Sequence, residues 1–464
     1  MYRKLFKSFT ERANLLLVVD HAGRAGNGFF LSIFDQHEQV LSCPWVHYVY
    51  SYCLTLFGDG DALESSHVLD VWSKQKYFNL LHDDLSAENR AFILKVGGDP
   101  AAPMDRSLVR TVFRDIILAR PTISRRELIL ATYFSFALGI GRDTEAIEYV
   151  LVSDSISLRT ESVFAGYSGR IVDLVLEDFP TARLFHLIRD PRAGFASTNH
   201  QFINQLGNMY GLRLGNALSR LVRTARMDFN WDSFFVFGFF LMYFRQTFEA
   251  IMRKRAEHAT SFTVIRNEDL NCNFRETMKS VSSMLGIKHL EAWDLDEHFM
   301  PTMLGIPWRG TGAYNSRYSP PTMLQNDPAS VCAKSVGPNK HVTVRWKSRL
   351  KPSEIYLIET FLRPEFDALG YDLLTTSGSW RSSRWLLTLL KPLRGELPSV
   401  HWVAQGWSVG WRLFMDRLFF SIVWPVYYIL VRLSFAVAVY TTNVFEKDCF
   451  AGRSQARESL AQKG

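Results

Sequence analysis

A short apolar run that ends in a loop of small residues places the strongest constraint on the fold. Residues 15–19 are all apolar, Asp20 follows, and glycines stand at positions 23, 26 and 28 before a helical pattern begins at Phe29. An apolar run of this length that stops at turn residues is typical of a buried strand. Because strand, tight loop and helix in this order open many α/β nucleotide-binding domains, we predict an α/β fold with a central parallel sheet flanked by helices.

Two later segments repeat the same local pattern. Residues 182–188 form a strand candidate that stops at Arg189, and residues 261–265 form another. Asp190 is suited to cap a helix whose first residue is Pro191. The phenylalanine-rich residues 234–252 have a helical pattern, which we interpret as core packing rather than as a cofactor site.

Charge and cysteine content narrow the classes of partner. The formal net charge is +7 and the pI is near 9.1, which favours anionic partners such as a nucleotide, an acidic glycan or a membrane surface. No long basic run or zinc-finger spacing points to nucleic acid. The five cysteines are scattered without a CxxC pair, so we expect reduced thiols and no metal centre.

The glycine loop has the character of a phosphate-binding cradle. Small residues expose successive backbone N–H groups, and the start of the next helix adds its positive end. No Lys-Ser/Thr pair follows the glycines, so the loop is not that of a nucleoside triphosphatase, and it does not match GxGxxG. Arg24 lies inside it, where a cation can meet charge on a leaving group. A plain glycine turn with an exposed arginine is the alternative interpretation.

A second anion-binding group is predicted where the strand over 182–188 ends. Arg189 follows that strand beside a predicted helix N-terminus, where a guanidinium group can bind a phosphate through two hydrogen bonds. Ser197, eight positions later, can add a hydroxyl donor from that helix. The two arginines thus follow two strands of one predicted sheet.

These segments together resemble the PAPS-dependent sulfotransferases. Residues 23–30 and 34–40 are similar to that family's 5'-phosphosulfate loop, and residues 189–193 with Ser197 are similar to its 3'-phosphate motif. Residues 265–270 and 346–374 resemble its later segments. The resemblance implies a P-loop NTPase-like sulfotransferase fold. It also implies metal-independent transfer of a sulfuryl group from 3'-phosphoadenosine 5'-phosphosulfate (PAPS) to a hydroxyl of an unidentified glycan, lipid or small molecule.

The resemblance further implies a role for each matched residue. Arg24 matches the basic residue that contacts the transferring sulfuryl group and the bridging oxygen, while Arg189 and Ser197 match the 3'-phosphate ligands. Arg309 loosely matches an element that closes over the nucleotide. The residues implied to bind PAPS are Gly23, Arg24, Ala25, Gly26, Asn27, Gly28, Phe29, Arg189, Ser197 and Arg309.

The loop departs from the family pattern at two positions. Asn27 and Gly28 stand where most members have two hydroxyl residues. The amide of Asn27 can still donate a hydrogen bond, whereas Gly28 offers only its backbone. A nucleotide-binding protein of the same fold without turnover is therefore one alternative. A P-loop kinase is another, which the missing Lys-Ser/Thr pair disfavours.

A histidine is the expected general base. His47 follows the first predicted helix, near the place where related glycan and tyrosine sulfotransferases have an acidic base. The ordinary pKa of a histidine suits removal of a hydroxyl proton. His82, beside two aspartates, and His21, next to the glycine loop, are competing candidates.

The chain changes character near residue 375. We divide it into a sulfotransferase domain over 1–375 and a hydrophobic helical extension over 376–464. Residues 418–431 are uncharged, Arg432 follows, and residues 433–445 are uncharged again. This length suits a bilayer, but Pro425 and Arg432 argue against a simple spanning helix, so we expect an interfacial or re-entrant helix pair.

Membrane attachment through this extension is the expected location of the chain. Its tryptophans and arginines suit the aromatic and cationic belt of a membrane interface. No apolar segment of signal-peptide length follows the basic residues at the start, so we expect the catalytic part to be cytoplasmic. A helical hairpin buried against the core or against a second subunit, as in a homo-oligomer, is the alternative.

Overall fold

The strands form the parallel sheet that the sequence predicts. A computed structural model describes residues 1–43, 45–82, 85–95, 97–158, 161, 166–204, 233–308, 310, 337–376, 383–393, 396, 400–442 and 444–445. The strands are β1 (Asn14–Asp20), β2 (Val40–Ser42), β3 (Leu63–Glu64), β4 (Thr122–Ile123), β5 (Tyr149–Ser155), β6 (Arg183–Ile188), β7 (Phe262–Arg266), β8 (Thr302–Met303) and β9 (Ile306–Pro307). Five of them form a sheet in the order β2-β5-β1-β6-β7, with every pairing parallel.

Helices cover this sheet and continue beyond it. Up to the end of β6 they are α1 (Tyr2–Arg12), α2 (Asn27–Ile33), α3 (Val49–Phe57), α4 (Ser65–Val71), α5 (Lys76–His82), α6 (Ala87–Lys95), α7 (Arg106–Ile117), α8 (Arg125–Gly139) and α9 (Arg170–Asp178). The later ones are α10 (Pro191–Asn204), α11 (Ser233–Glu257), α12 (Asn267–Cys272), α13 (Phe274–Leu285), α14 (Lys340–Val344), α15 (Trp346–Arg349), α16 (Pro352–Phe361), α17 (Arg363–Leu369), α18 (Arg384–Leu389), α19 (Val400–Val409) and α20 (Trp411–Thr441).

The order of the strands determines where a ligand can bind. The chain passes from β1 to the β2 edge of the sheet, and later crosses back over β1 to reach β6 and β7. Ligands of open α/β sheets bind outside the carboxyl ends of the strands, where the strand order reverses. The loops that follow β1, β5 and β6 therefore meet at one edge, which we call the carboxyl edge.

The predicted helix start after β6 is confirmed. The Asp190 carboxylate accepts a 2.8 Å hydrogen bond from the backbone N–H of Arg192, and Pro191 is the first residue of α10. Arg192 also donates to Asp190 and, at 2.7 Å, to Glu359 on α16. All three side chains are buried, so each charge needs its partner. This network holds the start of α10, and with it the residue before the helix, in one position.

The C-terminal helices share a core with the rest of the chain. Phe435 of α20 packs in one apolar cluster with Phe237 of α11, Phe361 of α16 and Trp385 of α18. The phenylalanine stripe of α11 is therefore core packing, as predicted. Residues from both sides of position 375 contribute to this cluster. The division of the chain into two domains at that position stays a prediction.

The C-terminal extension contains the helix pair α19 and α20. The break that Pro425 and Arg432 led us to expect in the apolar segment is absent from α20. This helix runs without a break through Pro425 and past Arg432. A proline in a helix interior costs about 3 kcal/mol, a cost that packing of the buried Trp424 and Phe435 offsets. Arg432 is buried and pairs at 2.6 Å with Glu396, which is equally buried. Its charge is thus neutralised inside the protein.

Candidate functional site

The loop between β1 and α2 is held in an unusual backbone conformation. Gly23, Arg24 and Gly26 have φ angles of 69°, 61° and 110°, in the left-handed region. A side-chain-bearing residue is strained there, and such residues cluster at functional sites. The Asp20 carboxylate accepts a 3.1 Å hydrogen bond from the Gly23 N–H and closes the start of the loop. Burial and the surrounding bonds thus hold Arg24 in a conformation that it would otherwise avoid.

Asn267, the first residue of α12, supports the loop from the other side. Its amide donates a 2.8 Å hydrogen bond to the carbonyl of Ala25. A Cβ atom on Gly26 would lie 2.4 Å from that amide nitrogen, closer than any side chain tolerates. The close approach explains why glycine stands at position 26. Asn267 falls within residues 265–270, which resemble a later segment of the sulfotransferase family, but no local pattern links it to Ala25, which is 242 residues away in the chain.

The structure brings Arg24, Arg189 and Ser197 together. Arg24 Nε donates to Ser197 Oγ at 3.1 Å, and Arg189 donates from its terminal nitrogen to the carbonyl of Arg24 at 2.9 Å. The second terminal nitrogen of Arg189 is 3.4 Å from the carbonyl of Val342. The two predicted phosphate-binding segments therefore form one site at the carboxyl edge.

A pocket with a cationic wall opens beside these residues. It is a small depression that is open to solvent. Arg189, Arg345 and Arg349 contribute guanidinium groups and Ser197 a hydroxyl, and none of the residues lining the pocket is acidic. Arg189 Nε is buried and makes no hydrogen bond within the described part of the chain. A wall lined by arginines in this way suits an anionic ligand.

Sequence reasoning missed Arg345 and Arg349. Arg345 lies between α14 and α15 and Arg349 ends α15, so both follow Arg189 by about 160 residues. Residues 346–374 resemble a later segment of the sulfotransferase family, and that resemblance pointed to the region around α15. Trp346 itself lies in the pocket wall. The side chain of Trp346 also lies 4.4 Å below the Arg192 guanidinium, which ties α15 to α10. Only this packing places the two extra cations beside Arg189.

The remaining loop residues have defined neighbours. The side-chain amide of Asn27 donates at 3.2 Å to the Ser153 hydroxyl on β5, and the side-chain oxygen Oδ1 of Asn27 is buried without a hydrogen bond to any residue that the structure describes. Phe29 stacks on Trp308 with ring centres 6.1 Å apart. Arg309 itself lies outside the described residues. Its two neighbours, Trp308 and Gly310, both approach Gly97 closely.

The three candidate bases differ in environment. His47 is half-buried in the loop that follows β2, where its ring lies edge-on to Tyr77 at 5.9 Å. The next residue, Tyr48, donates its N–H to the carbonyl of Ser153 at 2.8 Å, so His47 lies one strand away from the glycine loop.

The other two histidines are buried. His21 shares a 2.8 Å hydrogen bond with His186, and burial lowers its pKa to about 3. Burial lowers the pKa of His82 to about 4, and its ring packs on Phe113 at 4.9 Å. Two aspartates that follow His82 lie outside the described residues. Of the three histidines, His47 is the most exposed to an incoming substrate.

Two buried carboxyl groups lie beneath the loop. Burial raises the pKa of Asp20 at the end of β1 to about 6, and it raises that of Asp154 on β5 to about 6 as well. Asp154 accepts hydrogen bonds from the backbone of Tyr50 and Ser155 and from both donors of Ser51, so it fixes the start of α3. Asp20 instead holds the glycine loop.

Comparison with known proteins identifies structural neighbours only. No family model and no curated protein matches the chain. The sulfotransferase domain from the curacin biosynthetic pathway is 14% identical with a TM-score of 0.39, and the match covers 78% of this chain and 99% of that domain. The sulfotransferase domain from the Synechococcus PCC 7002 olefin synthase is 14% identical with a TM-score of 0.40, covering 78% and 96%. A sulfotransferase from Mycobacterium avium is 13% identical with a TM-score of 0.29, covering 60% and 66%.

The close approach at Gly26 generates a prediction about the loop. Gly26→Ala should lower the thermal melting midpoint more than Gly23→Ala, because a Cβ at position 23 meets nothing within 4 Å. Both changes carry the cost of a left-handed alanine, roughly 1–2 kcal/mol, but only Gly26→Ala also pushes Asn267 away. Equal losses of melting temperature in the two variants would contradict this account of the loop.

The raised pKa of Asp20 predicts a pH-dependent stability. A carboxyl whose pKa rises from 3.8 to about 6 on folding stabilises the fold below pH 3.8, and this contribution is lost as the pH rises through 6. Asp20→Asn keeps an acceptor for Gly23 and removes the buried charge. We expect the variant to have a higher melting temperature than the wild type at pH 8, with an unfolding free energy that is larger by up to about 3 kcal/mol. Near pH 4 the melting temperatures of the two proteins should converge.

Asp154→Asn is the matched control for this measurement. It is equally buried, but its oxygens accept four hydrogen bonds, and an amide would turn its NH₂ group against some of these donors. This variant should melt below the wild type at both pH values. An Asp20→Asn variant that melts below the wild type at pH 8 would show that the Asp20 charge stabilises the loop.

Proposed function

We propose that this chain is a sulfotransferase that uses PAPS as its donor. The observation that carries the proposal is the cationic pocket at the carboxyl edge. The Arg24 side chain, which donates a hydrogen bond to Ser197 in the wall of this pocket, connects the pocket to the glycine loop. One site thus offers two adjoining anion-binding places, one along the loop and one in the pocket. PAPS carries two separate anionic groups, the 3'-phosphate and the 5'-phosphosulfate, which suits this arrangement.

The donor would lie across both places. Arg189 and Ser197 would bind the 3'-phosphate in the pocket, with Arg345 and Arg349 adding charge from α15. The backbone of residues 23–29 would bind the 5'-phosphosulfate, since an open loop of small residues lets a ligand approach N–H groups closely. Arg24 lies between the two places, because its side chain reaches Ser197 while its backbone belongs to the loop.

The reaction proposed is an in-line displacement at sulfur. An acceptor hydroxyl oxygen forms a bond to sulfur while the bond from sulfur to the bridging oxygen breaks, and adenosine 3',5'-bisphosphate leaves. Negative charge then develops on the bridging oxygen, where the Arg24 guanidinium can stabilise it. The hydroxyl proton passes to a base, for which His47 is proposed. The burial of His21 and His82 and their lowered pKa values support this choice. The proposal assigns no metal ion to this step, because Arg24 and the loop N–H groups would stabilise the leaving group.

Two alternative functions share the same site. A nucleotide-binding protein without turnover is favoured by the hydrogen bond that occupies the Asn27 amide, since this amide replaces a hydroxyl of the family pattern. Tight binding of adenosine 3',5'-bisphosphate without product from labelled PAPS would assign that function. A P-loop kinase would bind ATP in preference to PAPS, so competition between the two nucleotides separates it from a sulfotransferase.

We also propose that the chain attaches to a membrane through one face of α20. Among the described residues, α20 is the one helix whose length and composition suit a bilayer, with a mean hydropathy of 1.9 and 22% of its most apolar window buried. Trp424, Arg432 and Phe435 face the protein. The exposed face carries apolar side chains at intervals of one to four residues: Phe419, Ile422, Val423, Val426, Ile429, Leu430, Leu433, Val437 and Tyr440.

The length and the ends of this exposed face suit a helix that lies along a membrane interface. From Phe419 to Tyr440 it extends about 32 Å at 1.5 Å per residue, and the opposite face packs on the protein, so the helix axis would lie parallel to the membrane surface. Trp407 and Trp411, both 62% exposed, flank one end, and aromatic residues are typical of membrane interfaces. Exposed apolar surface of this extent marks a membrane or a partner. The net charge of +7 favours the anionic membrane surface.

Calorimetric titration with adenosine 3',5'-bisphosphate tests the donor site. Arg189→Ala should weaken this nucleotide roughly tenfold to a hundredfold, the loss expected for a charged hydrogen-bonded pair, and should hardly affect adenosine 5'-phosphate. Arg189→Lys should recover part of the affinity, because a point charge does not reproduce the planar fork. Arg183→Ala is the matched control, since Arg183 begins β6 at the opposite edge of the sheet. Equal losses for both nucleotides would rule out a 3'-phosphate site at Arg189.

Flotation with vesicles of phosphatidylcholine and phosphatidylglycerol tests the membrane face. The full chain should float with the vesicles, also at high salt, because apolar burial is not screened. Ile422→Glu/Val426→Glu/Leu433→Glu should leave the chain in the aqueous fraction. The control Leu118→Glu/Leu295→Glu/Met300→Glu changes apolar residues of similar exposure elsewhere and should float. A wild-type chain that stays in the aqueous fraction as a dimer would assign the face to a second copy.

A further inference from the structure

The first two residues of α12 contact both halves of the candidate site. The Asn267 amide donates a 2.8 Å hydrogen bond to the carbonyl of Ala25 in the glycine loop. The next residue, Glu268, accepts a 3.0 Å hydrogen bond from the backbone N–H of Asp190, which directly follows Arg189 in the chain. Two adjacent side chains therefore hold the glycine loop and the end of β6.

One turn later, α12 also holds the segment that leads to the pocket. The Asn271 side-chain oxygen accepts a 3.1 Å hydrogen bond from the N–H of Asn339, and its amide donates at 2.7 Å to the carbonyl of Asn267. Asn339 caps α14, because its side-chain oxygen accepts from the His341 N–H at 2.9 Å. The residue after α14 is Arg345, in the pocket wall. α12 thus contacts each of the three segments that supply groups to the site.

The Glu268 carboxylate is fixed from a second side. Its other oxygen accepts a 2.7 Å hydrogen bond from the Tyr371 hydroxyl. The Arg266 guanidinium lies over the Tyr371 ring, 4.4 Å from its centre, an arrangement that attracts the cation to the aromatic face. Glu268 and Tyr371 are both partly buried. Since both carboxylate oxygens accept hydrogen bonds, the Glu268 side chain has a defined orientation toward Asp190.

These contacts act on the main chain rather than on a ligand. Asn267 and Glu268 bind a backbone carbonyl and a backbone N–H, and neither is among the described residues that line the pocket. They therefore affect where the loop and the end of β6 lie relative to each other. A ligand that engages two places at once gains affinity only when the separation of the places matches its own geometry.

We propose that Asn267 and Glu268 are positioning residues that set the separation of the two anion-binding places. This inference rests on the proposed use of PAPS, which has to engage the glycine loop and the pocket at the same time. Each place keeps its own donors without α12: the backbone N–H groups of the loop in one, Arg189 and Ser197 in the other. The two residues should therefore matter for a bisphosphate nucleotide and hardly for a monophosphate.

Calorimetric titration of the full chain with three nucleotides tests this role. Asn267→Ala and Glu268→Ala should weaken adenosine 3',5'-bisphosphate roughly tenfold, a part of the gain that joining two sites provides. Both variants should bind adenosine 5'-phosphate and adenosine 3'-phosphate within about twofold of the wild type. Glu268→Gln should bind all three nucleotides as the wild type does, because its amide can accept from Asp190 and donate to the Tyr371 oxygen.

Matched variants separate positioning from a general effect on the fold. Asn273→Ala and Glu276→Ala change exposed residues of the same types directly after α12 and should bind all three nucleotides as the wild type does. Tyr371→Phe removes one hydroxyl and should weaken the bisphosphate by a smaller factor than Glu268→Ala. This milder variant carries the test if an alanine variant does not fold.

The outcomes for the positioning role and for the proposed function are distinct. Equal losses of affinity for all three nucleotides, or an unchanged affinity for the bisphosphate in the Asn267, Glu268 and Tyr371 variants, would overturn the positioning role. A wild-type chain that binds the bisphosphate no more tightly than the monophosphates would instead refute the proposed donor site itself.

Discussion

The hydrogen bond from Arg189 to the carbonyl of Arg24 joins the two halves of the site. It connects the loop after β1 to the end of β6, and the Arg24 that accepts it has a left-handed φ of 61°. Arg345 and Arg349 line the pocket together with Arg189. The packing of α10 and α15 therefore brings basic side chains from distant parts of the chain to one place at the carboxyl edge.

Buried ion pairs hold the elements that carry these cations. The network of Asp190, Arg192 and Glu359 fixes the start of α10 against α16, and Arg245 of α11 pairs at 2.7 Å with Glu365 of α17. Removing one member of such a pair leaves a buried charge without compensation, which costs more than the pair contributes. The charged side chains below the site therefore specify its geometry more than they add to its stability.

The helix α11 relates the site to the C-terminal segment. One part of it supports Phe435 of α20, and another supports the carbonyl of His21 before the glycine loop. The pairing of Arg432 with Glu396 removes the only charge that interrupts the apolar sequence of residues 418–445, so the outer face of α20 stays apolar. One helix thus contacts both α20 and the segment that precedes the glycine loop.

Local sequence determined the elements and the loop, whereas tertiary packing decided which distant residues complete the site. The apolar runs that became β1 and β6, the glycine loop and the cap at Asp190 could be predicted because strand burial, positive φ angles and helix starts depend on a few adjacent residues. The contacts of Asn267, Arg345 and Arg349 could not, because an arginine or asparagine at the end of a helix is an ordinary surface residue until folding brings it to the carboxyl edge. The same holds for Arg432, which in sequence interrupts an apolar helix and in the structure finds Glu396. The physical reason is that a buried charge or amide is defined by its partner, and here each partner lies tens to hundreds of residues away in the chain.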